Sequence, residues 1–271
     1  MAETMESMRD GDVVGRPVLE AQGLTLSWDG GAHVVVRDVS LTVEAGEVVC
    51  LVGKSGCGKT TILHALSGLT TPLAGRVLLH GRDVTGKPGS VSYMLQKDLL
   101  IPSKRIIDNV CLPLVVSGMG KTEAREKAAP LFERFGLSGT ERQWPAQLSG
   151  GMRQRAAFLR TYLMGNDVAL LDEPFSALDA ITRTDLRTWY CQMAAELGMA
   201  SVVITHDVDE AVSMADRIYV LCGNPGAGVP TEVGGEIKVP RAEALAASDV
   251  DDFALTPDYV DCKRQVLELL R

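Results

Sequence analysis

The eight consecutive residues Gly53-Lys54-Ser55-Gly56-Cys57-Gly58-Lys59-Thr60 restrict this chain more than any other stretch. They follow a short apolar run, Glu47 to Val52, and helical spacing resumes from Thr60 to Ser67. Strand, glycine-rich loop and helix in that order form a cradle for crowded phosphate oxygens. The glycines let backbone N–H groups converge on the anion without side-chain clash. Lys59 brings a point charge to the β- and γ-phosphates, the Thr60 hydroxyl can ligate Mg2+, and the helix start adds its dipole. Lys54, Ser55, Cys57 and Thr61 belong to the same lining. A glycine-rich turn that merely ends in Lys-Thr is the plainer reading, and the flanking strand and helix argue against it.

A second segment, Val168-Ala169-Leu170-Leu171-Asp172-Glu173-Pro174, reads as a strand buried on both faces that ends in two carboxylates. Open α/β sheets bind ligands at the carboxyl ends of their strands. Asp172 is placed to hold Mg2+, and Glu173 to orient or deprotonate an attacking water. An acidic turn closing a strand is the bland alternative. Around these anchors the chain alternates. Residues 19 to 50 read as antiparallel strands, 75 to 95 as further short strands, and 105 to 165 as a mostly helical insertion broken at Pro113 and at Gly118-Met119-Gly120. A helix from about Asp179 to Leu197 leads to strands at 201–205 and 217–222. Residues 223 to 257, rich in Gly, Pro and Ala, read as irregular, and 257 to 271 as an amphipathic helix. The expectation is an α/β fold with a parallel sheet flanked by helices.

Composition narrows the partners. The formal net charge of −8 argues against a nucleic-acid target, which usually meets a basic surplus. Six cysteines form no C-x-x-C pair and no zinc-spaced cluster, so they read as small buried hydrophobes; Cys57 alone, inside the loop, is a candidate for oxidation. Residues 1 to 15 read as an acidic tail without the pattern of a signal peptide. No apolar stretch approaches the ~18 residues a membrane span needs, so a membrane role would go through a partner.

Leu148-Ser149-Gly150-Gly151-Met152-Arg153-Gln154-Arg155 is the segment that separates kinases, GTPases and transport ATPases. Ser149 is a plausible N-cap, and Gly150-Gly151 exposes N–H groups at a helix start. That makes a second anion site about ninety residues after Thr60. Here the sequence resembles the ABC-transporter ATPases, whose signature is L-S-G-G-x-x-x-R, from about Leu19 to Leu221. The resemblance implies a P-loop ABC ATPase with a mixed central sheet, an N-terminal antiparallel β-subdomain and an inserted helical subdomain at about 98–165. The cassette would span 16–235, with an extension over 236–271.

The same resemblance assigns further residues. Gln96, in Met94-Leu95-Gln96-Lys97, matches the glutamine that senses Mg2+ and nucleotide beside the surface where membrane subunits dock. Ser176-Ala177-Leu178-Asp179 matches the loop that crosses the dimer interface; read without the family, Ser176 or Asp179 is a helix N-cap. His206 matches the histidine that contacts the γ-phosphate. Trp28 stands where an aromatic stacks on adenine, and is otherwise a core residue. The family implies two chains head to tail, each signature facing the ATP bound by the other. It also implies permease subunits and, for importers, an extracytoplasmic solute-binding protein, with the chain on the cytoplasmic face of the membrane. The segments 152–155, 175–183 and 204–211 look most like bacterial importer ATPases, in the group serving nitrate, sulfonate, taurine and thiamine precursors. Pro102-Ser103-Lys104-Arg105 departs from that group, whose members carry Trp-Arg at this point. A non-transport ABC ATPase and a small-molecule kinase are the rivals. The first lacks room here for its coiled-coil insertion, and the second leaves the signature and His206 unexplained.

Overall fold

The structure, a computed structural model, describes residues 17–247 and 252–271, so the expected acidic tail lies outside the described residues. Strands β1 (Leu19–Ser27) and β2 (Val34–Val43) pair antiparallel, joined by a turn at Asp29-Gly30-Gly31. Next come β3 (Val48–Gly53), helix α1 (Lys59–Leu66), β4 (Ala74–Leu79), the two-residue β5 (Arg82–Asp83) and β6 (Ser92–Met94). Between β6 and the next strand lie α2 (Ile106–Val110), α3 (Leu112–Val116), α4 (Lys121–Arg134) and α5 (Gly150–Tyr162). Pro113 sits in the first turn of α3, where its missing N–H costs nothing. The chain continues through β7 (Val168–Asp172), α6 (Ala180–Leu197), β8 (Ala200–Thr205), α7 (Val208–Met214), β9 (Arg217–Asn224), β10 (Val229–Lys238), α8 (Arg241–Ala246) and α9 (Pro257–Leu269).

One ten-stranded sheet runs in the order β5-β4-β1-β2-β10-β9-β3-β8-β7-β6. Strands β9, β3, β8, β7 and β6 are mutually parallel, and β5, β4, β1 and β2 are antiparallel. The sheet is therefore mixed. In β3, Val49 and Leu51 face the core shared with the antiparallel strands, while Val48, Cys50 and Val52 face the helices. Both faces are covered, so the strand reads as a continuous apolar run. Burying its five side chains, at about 1.5–3 kcal/mol each, fixes the strand that carries the loop.

One expectation fails. Over residues 223 to 246 the chain is not irregular: β10 pairs antiparallel with β9 over most of its length and touches β2 at Thr231↔Val36, and α8 follows. Its glycines are packing requirements rather than breakers. A Cβ at Gly234 would sit 2.4 Å from Cys222 Sγ, and one at Gly235 2.6 Å from Leu269 Cδ1. The strand also runs through position 235, past the boundary set there for the cassette.

Candidate active site

The loop from Gly53 to Thr60 joins the end of β3 to the start of α1. Gly56 (φ 78) and Gly58 (φ 99) adopt left-handed conformations that only glycine takes freely. Gly53 is glycine for a different reason: a Cβ there would lie 2.7 Å from Cys57 Sγ and 3.0 Å from the Leu221 carbonyl oxygen. The Lys59 ammonium is buried and donates to the Gly53 (2.8 Å) and Lys54 (3.1 Å) carbonyls, so its charge is held inside the loop. Lys54, Ser55 and Gly56 are exposed. Cys57 is only 1% exposed, and burial pushes its thiol up from the ordinary cysteine value. That argues against the oxidation suggested by its place in the loop.

The second segment closes on the first. The Thr60 hydroxyl donates to Asp172 Oδ2 at 3.1 Å, which joins the start of α1 to the end of β7. Burial raises the Asp172 carboxyl above its usual range, opposed by that hydrogen bond. Burial and the nearby Asp172 carboxylate also push the Tyr93 phenol up. Glu173 follows with φ 45, a left-handed conformation that costs a non-glycine residue about 1–2 kcal/mol. Its N–H still donates to the Ile204 carbonyl of β8 (3.0 Å), so only the side chain is redirected. Successive residues of a strand would point opposite ways, and this turn lets both carboxylates serve one site.

Glu173 is gripped from two sides. Gln96 Nε2 donates to Oε2 at 3.1 Å, and His206 Nδ1 lies 3.1 Å from Oε1. Gln96 comes from just past β6 and His206 from the end of β8, so three strand ends aim at one carboxylate. Trp28 is 66% exposed, which excludes the core reading, and its Nε1 donates to the Thr61 hydroxyl at 3.4 Å.

Other predicted residues lie apart from this constellation. Ser149 caps α5, its hydroxyl accepting from Met152 N–H at 3.3 Å. Gly150 and Gly151 pack within the same chain: Cβ atoms there would each be 3.0 Å from Leu178 or Thr182 side-chain carbons. Asp179 caps α6 by accepting from Thr182 N–H at 3.0 Å, and these bonds to Thr182 hold its carboxyl below the usual range. Among the described residues, no hydrogen bond links Ser149, Gly150, Gly151 or Asp179 to the phosphate loop. The sequence reading missed Thr231, fully buried in β10, whose hydroxyl donates to the Cys57 carbonyl inside the loop. No local signal marks it, because it lies far along the chain. It also assigned Ser176 no contact with Glu173, although its hydroxyl donates to the Glu173 carbonyl at 3.0 Å.

A glycine cradle with a captive lysine, a hydroxyl paired to a strand-end aspartate, and a glutamate held by glutamine and histidine are the arrangement expected of an ATP-binding cassette. The chain belongs to the ABC transporter family, whose profile matches residues 36–176. It is 39% identical over 210 residues to a formylaminopyrimidine import ATP-binding protein of Halalkalibacterium halodurans, covering 78% of this chain and 82% of that one. It is 40% identical over 247 residues to an aliphatic sulfonates import ATP-binding protein of Burkholderia lata, covering 88% of each. An Fe(3+) ions import ATP-binding protein of Rhizobium etli is 42% identical over 238 residues; the match covers 86% of this chain but spans only 65% of that relative's length. A dimeric bacterial ABC transporter cassette superposes with TM-score 0.68 at 28% identity, covering 82% of this chain and 98% of its own. The cbiO1 protein of Clostridium perfringens shares the fold at 22% identity, with TM-score 0.73 over 84% of this chain and 91% of that one. The family and fold expected from the motifs are borne out, and the three sequence relatives carry the names of import ATP-binding proteins.

Proposed function

We propose that this chain is the ATP-hydrolysing subunit of an importer, working as a head-to-tail dimer on permease subunits at the cytoplasmic face of the membrane. One observation carries the reading: Glu173 is held between Gln96 and His206, directly after an aspartate paired with the loop's Thr60. The relatives' names support import. Small organic or inorganic anions and vitamin precursors are the solute classes we favour, delivered by an extracytoplasmic binding protein. No helix among the described residues is long and apolar enough to cross a membrane, so the chain would act through partners.

In this reading the adenine stacks on exposed Trp28, and the N–H groups of Gly53 to Thr61, with Lys59, hold the phosphates. Exposed Lys54 adds charge at the loop's shoulder. The Thr60 hydroxyl and Asp172 carboxylate, already together, form the hard oxygen pair that suits Mg2+, and Gln96 would add its amide oxygen when the ion binds. That ion would neutralise charge on the β- and γ-phosphates. Glu173 positions the attacking water and takes its proton, while Gln96 and His206 fix the carboxylate. Ser149, Gly150 and Gly151, with the Asp179 loop, are offered to the nucleotide of the second chain. That accounts for their separation from their own loop.

Glu173→Gln tests this. The amide keeps the shape but cannot accept the proton. Nucleotide affinity should persist, turnover should fall about 100-fold or more, and ATP should trap a dimer on size exclusion. Wild-type turnover in the variant would remove Glu173 from the role.

A further inference from the structure

Away from the phosphate loop, a cavity of about 250 Å³ opens between α6, α7 and residues 252–254. Thr184, Arg187, Thr188 and Gln192 recur along one face of α6 at helical spacing, with Ser213 of α7 and Arg241 opposite. The two guanidiniums differ in what already holds them. Among the described residues the Arg187 side chain forms no ion pair or hydrogen bond, and acts on Asp209 and Glu210 only through its longer-range field. Both acids are already engaged: Asp209 by Lys263 (2.6 Å) and Tyr259 (2.7 Å), Glu210 by the Thr205 hydroxyl. Arg241 donates Nη2 to the Ala215 carbonyl at 3.0 Å and to the Val212 carbonyl at 3.5 Å and lies over the Phe253 ring, which anchors the guanidinium at the cavity wall.

The hydroxyls sort by what they can still do. Thr184 donates back to the Ala180 carbonyl (3.1 Å) and Ser213 to the Asp209 carbonyl, so both can only accept. Thr188 and Gln192 make no hydrogen bond to the described residues and remain donors. Among the described lining residues the one acid is Asp252, which accepts from Ala254 N–H at 2.9 Å. Among the described lining residues, two cations and two neutral donors face one carboxylate, in a chain whose net charge is −8. The volume lies below the roughly 300 Å³ at which drug-sized ligands begin, so a small ligand fits.

We propose that this cavity binds a small oxyanion, held by Arg187 and Arg241 with Thr188 and Gln192, independently of the nucleotide. The ligand would also touch the ATPase machinery. Arg241 holds the last turn of α7, and α7 begins two residues after His206.

The test uses the full chain saturated with a non-hydrolysable ATP analogue and Mg2+, which removes the phosphate loop as a competing anion site. Inorganic sulfate and phosphate are then titrated by calorimetry. Millimolar or tighter binding should persist under these conditions and weaken about tenfold in Arg187→Ala, whose thermal melt should match wild type because no hydrogen bond is lost. Thr188→Val should weaken binding by a smaller factor. Lys59→Ala should leave this binding intact. The proposal is overturned if anion binding vanishes once the nucleotide site is filled, or if folded Arg187→Ala and Thr188→Val both bind as wild type.

Discussion

Thr231→Val isolates a link between the end of the sheet and the phosphate loop. Thr231 is fully buried in β10, and its hydroxyl donates to the Cys57 carbonyl. No helix bond is available to that carbonyl, because it precedes α1, whose first backbone bond runs from Ile62 to Gly58. Valine keeps the shape and removes only the donor. The lost bond is worth about 0.5–1.5 kcal/mol, and stranding the carbonyl raises the cost to about 1–3 kcal/mol. Part of that falls on global stability, read from the urea midpoint at constant m-value. The rest loosens the loop, and each 1.4 kcal/mol spent there weakens nucleotide binding about tenfold. Titration with a fluorescent ATP analogue should show the loss, and Thr231→Ser, which keeps the hydroxyl, should restore affinity. If the valine variant binds nucleotide and unfolds like wild type, the bond does not organise the loop.

Asp172→Asn should raise stability near neutral pH while removing Mg2+-dependent turnover. The folded protein raises the Asp172 carboxyl mainly by burial, so its charged form opposes folding. The sign follows: wild type holds this contribution in full below the unfolded value of about 4 and loses it as pH rises through the folded one. The variant's advantage in urea unfolding should therefore be largest at neutral pH and shrink on acidification; a variant less stable at both ends contradicts the account. Gly53→Ala should cost about 1–3 kcal/mol, because its methyl meets the Leu221 backbone as well as Cys57 Sγ. An unfolding midpoint unchanged from wild type would mean the loop yields more readily than its packing suggests.

What could be read in advance was whatever chemistry the chain writes locally. The loop, the Asp172-Glu173 pair and the double-faced strands β3, β7 and β8 each declare themselves within a dozen residues. Even the caps were legible, since Ser149 and Asp179 both cap helices. Partnerships over distance were not. Gly234 and Gly235 look like turn residues until Cys222 and Leu269 are seen filling the space a side chain would need. Trp28 carried two readings that only its exposure could separate. That Glu173 would be gripped by both Gln96 and His206 depends on which strands lie side by side, and the order β8-β7-β6 is a property of the sheet rather than of any one segment.

The sheet carries a joint. Its antiparallel strands β5-β4-β1-β2 join the parallel ones through β10, which meets β2 at the single register pair Thr231↔Val36. Trp28 extends from the antiparallel side, and the phosphate loop grows from the parallel side. A nucleotide stacked on the one and cradled by the other would lie across this joint like a rivet through two plates. The same molecule that is consumed as fuel would then also set the angle between the plates. Each round of hydrolysis would free that angle before the next ATP fixes it again.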